Sequence, residues 1–302
     1  MGLFRSYQNP GRGIDPNAPK KKPFFRFWEL LWRNFGKLLT LNLTITFLHS
    51  PLLLSLIVYV ETRNSLTVPM VFFLLLVQVL LIGPTLAGSA RVLRLIVLDK
   101  AFFFSEEFKK GFKSNFGAAF LYWLLDLTVI ASVVSGYWIY PQLAKQSGSK
   151  AVYILFGISL SVAVVLLFMN YYMIPLQVTT RLKKSSVLKN SFMLTVLSVK
   201  QCILTTLGIL LMLGISFLLL LLNPYFMFLF AFFPAAFIGY LVMFVHYPVI
   251  QKFVINPYYE ESGEQNPEAE DDGDDEERLF TDRGGKEEPA KKESSKKGKV
   301  IS

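Results

Sequence analysis

Three times along this chain a charged, helix-forming stretch runs without a break into an apolar segment of membrane length. The first is Phe24 to Leu41, FFRFWELLWRNFGKLLTL. The others are Phe102 to Leu121, FFFSEEFKKGFKSNFGAAFL, and Lys183 to Leu197, KKSSVLKNSFMLTVL. Each passes through a small polar-aromatic cluster: Asn34-Phe35-Gly36, Asn115-Phe116-Gly117 and Asn190-Ser191-Phe192. A helix needs about 20 apolar residues to cross the hydrocarbon core, where a backbone must satisfy its own hydrogen bonds. The recurrence predicts an all-α integral membrane fold. Its six transmembrane helices form three helix-hairpin repeats, each preceded by a cytosolic amphipathic helix.

Composition agrees. Of 302 residues, 53% are hydrophobic and the mean hydropathy is +0.43, beyond the range of soluble domains. The single cysteine, Cys202, excludes an intrachain disulfide and a multi-cysteine metal site. The two histidines, His49 and His246, leave little material for acid–base or metal chemistry. The polar first twenty-odd residues have no apolar core, so no cleaved signal peptide is expected and the first span serves as the insertion signal.

The expected spans are Leu38–Val60, Val68–Ala90, Phe116–Tyr140, Ala151–Leu176, Val199–Leu222 and Tyr225–Pro248. Between them lie the polar turn Glu61–Asn64, a loop over Pro141–Lys150 and a tight turn at Asn223-Pro224. Lys and Arg set the orientation. The segments before span one, after span two and after span four carry nineteen, whereas the connections on the other side carry only three, Arg63, Lys145 and Lys150. Both termini are therefore expected in the cytosol, with the protein crossing its membrane six times. The basic balance is explained without nucleic acid.

Three regions follow: an irregular N-terminal arm over 1–23, a six-span domain over 24–255 and a charged tail over 256–302. Eleven acidic residues fall between Glu260 and Glu277, and six lysines between Lys286 and Lys299. Such a composition predicts disorder. The tail either solvates the protein or folds back on its basic face.

Within Phe24–Lys37 the aromatic and leucine residues alternate with Arg26, Glu29, Arg33 and Lys37. That pattern suits a helix in the headgroup region, with anionic lipid at the cytosolic face as its partner. No phosphate loop, HExxH or GxSxG is present. The chain reads as a non-enzyme with no catalytic residue, cofactor or metal site.

Asp126 is the one acidic residue deep in a span, where an ionisable group costs about 2.5–3.5 kcal/mol and usually has a partner. It is either a coupling site or one half of a hydrogen bond to a neighbouring helix. With His49, Asn170, Pro84 and Pro175 it forms the candidate intramembrane polar site. His246 is expected to be packed or interfacial. Pro51, Pro84, Pro175, Pro234 and Pro248 are expected to interrupt spans, as broken helices in transporters do and as ordinary bundles also show. Asn34, Asn115 and Asn190 are candidate caps at the junctions between surface helix and span. The small residues Gly83, Ala87, Gly88, Ser89 and Ala90 predict close helix packing.

Several of these stretches together resemble the YesL-like family of bacterial polytopic membrane proteins, a domain of unknown function. They are Met1-Gly2-Leu3-Phe4, Arg33-Asn34-Phe35-Gly36-Lys37-Leu38 with Asn42-Leu43, Pro84-x-x-Ala87-Gly88, Phe103–Phe116, and Leu188–Phe192. The resemblance covers about residues 1 to 255 and brings no catalytic residues with it. It implies a polytopic inner-membrane protein associated with carbohydrate uptake. The expected function is a non-catalytic accessory or assembly factor, with permease subunits of an uptake system as partners. The other reading is a small-solute transporter or channel in its own right.

Overall fold

The computed structural model describes residues 22–263 and 266, apart from 227, 228, 230 and 231. The arm over 1–21 and nearly all of the charged tail lie outside the described residues. Among the described residues the chain is helical, with no strand.

The three-copy reading holds. In the first copy, surface helix α1 (Pro23–Arg33) leads into α2 (Phe35–Thr62), and a single 3-10 turn (Ser65–Thr67) leads into α3 (Val68–Val97). In the second, α4 (Phe104–Ser114) leads into α5 (Phe116–Ser147) and α6 (Val152–Thr179). In the third, α7 (Lys184–Leu197) leads into α8 (Val199–Leu222), a 3-10 turn (Pro224–Phe226) and α9 (Pro234–Ile250). A five-residue π-helical turn (Gln251–Ile255) then carries the chain into α10 (Asn256–Ser262). Six helical segments are long and apolar enough to cross a membrane, the sixth being Pro234–Ser262.

One residue makes the corner between surface helix and span in each copy. Asn34, Asn115 and Ser198 leave the helical conformation at φ −105°, −109° and −127°. Each closes the helix behind it, donating from its side chain to a carbonyl four residues back. Asn34 Nδ2 reaches Leu30 O at 3.2 Å, Asn115 Nδ2 reaches Gly111 O at 3.1 Å and Ser198 Oγ reaches Leu194 O at 2.5 Å. The side chains thus satisfy the end of the surface helix rather than the start of the span. The third corner is a correction: Asn190 lies inside α7, and the chain turns eight residues later at Ser198.

α7 corrects the expectation of three amphipathic helices as well. α1 and α4 separate polar from apolar residues. α7 buries Val187, Ser191, Leu194 and Thr195 while exposing both lysines and Phe192, Met193, Val196 and Leu197. Hydroxyls on the inner face and apolar groups on the outer one cancel its amphipathicity.

The prolines do not interrupt as expected. Pro51, Pro84, Pro141, Pro175 and Pro248 all sit inside continuous helices. A proline leaves the carbonyl four residues back without its usual donor. For Pro51 that carbonyl belongs to Phe47, and Ser50 Oγ supplies a replacement at 3.0 Å. The loop expected over Pro141–Lys150 is for the most part the last turns of α5, which ends at Gly148 in the left-handed conformation (φ 66°) that glycine adopts freely. Of the prolines expected to interrupt spans, only Pro234 marks a boundary, at the first turn of α9, where its missing N–H costs nothing. The sixth helix therefore starts at Pro234, well after Tyr225, and continues past residue 255 to Ser262.

α3 is the central helix, packing on α2, α4, α5, α6 and α9. Its small residues permit this. A Cβ on Gly83 would lie 2.4 Å from the Ala119 carbonyl oxygen of α5, and one on Gly111 of α4 would lie 3.0 Å from Gly88 Cα. Buried residues gather at the end of the bundle that carries the surface helices. No described residue is buried in α3 before Gln78, in α6 before Leu166, or in α8 beyond Thr205. α9 belongs to this end. Its Ala236 meets Asn42, seven residues into α2 and so about 10 Å along it.

Candidate intramembrane polar site

Of the residues singled out in sequence, Asp126 and Asn170 come together. Asn170 Nδ2 on α6 donates to Asp126 Oδ1 on α5 at 2.7 Å and to Leu166 O of its own helix at 3.1 Å. Both side chains are partly buried. This pair is the middle of a polar seam between the same two helices. Towards the surface helices, Tyr122 OH donates to Gln177 Oε1 at 2.9 Å. Towards the other end, the Ser132 and Ser159 hydroxyls meet at 3.3 Å. From Tyr122 to Ser132 the seam follows ten residues of helix, about 15 Å.

His49 is elsewhere, between α2 and α3. Gln78 Oε1 can only accept, so His49 Nδ1 carries the proton and donates to it, while Gln78 Nε2 donates to Leu48 O at 3.3 Å. Pro84 and Pro175 are buried packing residues, and the structure gives neither a place in these hydrogen-bonded sets.

The largest polar cluster centres on His246 of α9, which is fully buried. Its Nδ1 is 2.8 Å from Tyr172 OH and its Nε2 is 3.1 Å from Thr205 Oγ1. Tyr172 OH in turn contacts Ser198 Oγ. The directions of these bonds follow by elimination. A carbonyl only accepts, so Ser198 gives its single proton to Leu194 O. Tyr172 must then donate to Ser198 and accept from His246 Nδ1–H. The neutral ring is left to accept at Nε2 from Thr205. Every member is satisfied in one arrangement, and that arrangement selects the Nδ1–H tautomer. The Tyr171 ring stacks on the imidazole at 4.9 Å, and its hydroxyl pairs with Thr206 Oγ1 at 2.8 Å. The fully buried Cys202 lies beside Tyr172 and Ser198.

Asn170, Tyr171 and Tyr172 are thus one hub. Three consecutive residues of α6 reach α5, α8 and α9 because successive side chains on a helix point about 100° apart. Sequence reasoning singled out Asn170 but not how it is partnered. It passed over Gln78, an amide alone in the apolar run LLLVQVLLI, and the hydroxyls of Ser198, Thr205 and Thr206. Chemically, these groups can hold helices in register and orient one another. Among the described residues, no three His, Cys, Asp or Glu side chains gather as a metal site would need.

No protein-family model, curated protein or solved structure matches the chain.

Proposed function

We propose that this chain is a bacterial inner-membrane protein of the YesL-like kind, with both termini in the cytosol. On this reading it serves a solute uptake system, most naturally one for carbohydrate, as a non-catalytic accessory or assembly factor. The observation that carries the reading is the use made of the intramembrane polar groups. Asp126, His49 and His246 each bond a neighbouring helix, which is how a scaffold spends polarity in lipid. The excess of Lys and Arg on the surface-helix side supports the cytosolic orientation.

The test is purification of the tagged protein from its native membrane in mild detergent, with and without residues 260–302. Stoichiometric recovery of permease subunits, identified by mass spectrometry, together with impaired solute uptake when the gene is deleted, is the expected result. Recovery of the protein alone with uptake unchanged overturns the reading.

A second reading, transport by the chain itself, draws on the Asp126 seam, where the carboxylate is only partly buried and the Ser132–Ser159 pair continues the polar line. It requires solute flux in proteoliposomes that Asp126→Asn abolishes.

A further inference from the structure

α1 has three faces, not two. Taken at 100° per residue, Phe27, Leu30, Leu31 and Asn34 fall within an arc of about 100°. This arc is the inner face. Phe27 packs its ring against Phe237, Tyr240 and Phe244 of α9, and Tyr240 OH donates to Phe27 O at 2.8 Å. A second arc of about the same width holds Phe24, Phe25, Trp28 and Trp32, and beyond the Asn34 corner the Phe35 ring lies 5.7 Å from that of Trp32. These large aromatic side chains stand 66%, 62%, 40%, 66% and 37% exposed. The third arc holds Lys22, Arg26, Glu29 and Arg33.

An aromatic stripe of this size is not left facing water. Its last member, Phe35, is also the first residue of α2, which enters the hydrocarbon. The stripe therefore lies at the depth where a span crosses the headgroup layer, the place aromatic rings favour. α4 gives the contrast. It stacks Phe104, Phe108 and Phe112 along its own inner side and turns Lys109, Lys110 and Lys113 outward. Two of the cations that sequence alone would assign to lipid are already engaged. Arg33 forms an ion pair with Asp99, and Lys37 Nζ sits 4.3 Å over the Phe102 ring. Lys22 and Arg26, one turn apart, remain exposed on the third arc.

We infer that α1 is an interfacial lipid-binding helix, in which Phe24, Phe25, Trp28, Trp32 and Phe35 enter the headgroup–acyl boundary and Lys22 and Arg26 bind the phosphates of anionic phospholipid. The partner is a bilayer surface, and the inference is independent of the uptake-system reading.

The experiment uses the full-length protein in nanodiscs of phosphatidylcholine, with or without phosphatidylglycerol. Quenching of Trp28 and Trp32 is read as the difference between the wild type and W28F/W32F. Shallow spin-labelled lipid should quench these two tryptophans, and aqueous iodide should not. The wild type should co-purify with phosphatidylglycerol in preference to phosphatidylcholine, and K22Q/R26Q should lose that preference by on the order of 30-fold at low salt, each cation near an anionic surface giving about a fivefold effect. Iodide quenching without lipid quenching overturns the proposal. So does protection from both quenchers, which would mark a protein partner on the stripe. Lipid quenching with no change in lipid preference in K22Q/R26Q overturns the headgroup assignment, and folding of W28F/W32F, on which the difference depends, is checked by its co-elution with the wild type in size-exclusion chromatography.

Discussion

The Asn42 side chain of α2 accepts the backbone N–H of Ala236 at 2.9 Å, across 194 residues of sequence. Ala236 is the third residue of α9, the position at which a local N-cap side chain would normally reach back. The residue in that local position, Phe233, has no group to do so. A neighbouring helix therefore caps α9 from the side, inside the membrane, where water cannot substitute.

Asn42→Leu removes that acceptor and leaves a buried donor unsatisfied. The expected cost is about 1–3 kcal/mol. It should appear as a lower midpoint in thermal unfolding of the detergent-purified protein, while Asn42→Ser, which keeps an uncharged acceptor oxygen, should stay closer to the wild type.

Gly83 and Gly157 should respond to alanine with opposite signs. The Cβ of Gly83→Ala meets the Ala119 carbonyl oxygen, so α3 and α5 must separate, at a cost of about 1–3 kcal/mol. Gly157→Ala on α6 meets no atom within 4 Å. It should gain about 0.5–1 kcal/mol from reduced backbone freedom in the unfolded chain. The same unfolding assay on both variants decides the matter.

The His246 relay predicts non-additive losses. Tyr172→Phe takes away the acceptor of His246 Nδ1–H and should cost about 1–3 kcal/mol. Ser198→Ala removes the acceptor of Tyr172 and also the closing bond to Leu194 O. Because both changes break one chain of bonds, the double variant should lose less than the sum. Nitrogen-15 spectra of the imidazole should show the Nδ1–H tautomer in the wild type. Tyr172→Phe, which removes the group that holds the proton at Nδ1, should free the ring to exchange tautomers.

Asp126 and Asn170 can be separated by two substitutions. Asp126→Asn keeps a hydrogen-bonding partner of the same shape and should shift stability by less than about 1 kcal/mol, in line with measured interhelical hydrogen bonds in membranes. Asn170→Leu leaves the carboxylate without its partner and should cost more, about 2–3 kcal/mol. If the protein transports solute, Asp126→Asn instead keeps its stability and loses flux.

The repeat was legible because it rests on hydropathy, which a bilayer reads residue by residue. Asn34 and Asn115 were legible as corners, since each precedes a Phe-Gly step. The third corner was not. Ser198 reaches the i−4 carbonyl as well as Asn does, and the nearby Asn190 offered the more familiar residue type. The start of the sixth helix was hidden because the sequence between Pro224 and Pro234 is as apolar as a span, so hydropathy marks no boundary there. Asp126 and Asn170 were each visible as intramembrane polar residues. Their pairing was not, because it depends on how α5 and α6 rotate against each other, which Gly136 and the small residues of α3 decide through packing. The inner and outer faces of α1 were blurred for a similar reason: both are largely apolar, and only the contact with α9 tells them apart.

The ties made by α9 have a bearing on biosynthesis. This helix leaves the ribosome after the other five spans, yet it supplies Ala236 to Asn42, Tyr240 to Phe27, Tyr247 to Arg94 and His246 to Tyr172 and Thr205. Partners from all three repeats are thus inserted into the membrane before the helix that joins them exists. α2, α3, α5 and α6 can pack on one another before then, but α8 gains its main helix neighbour among the spans only when the last helix is made.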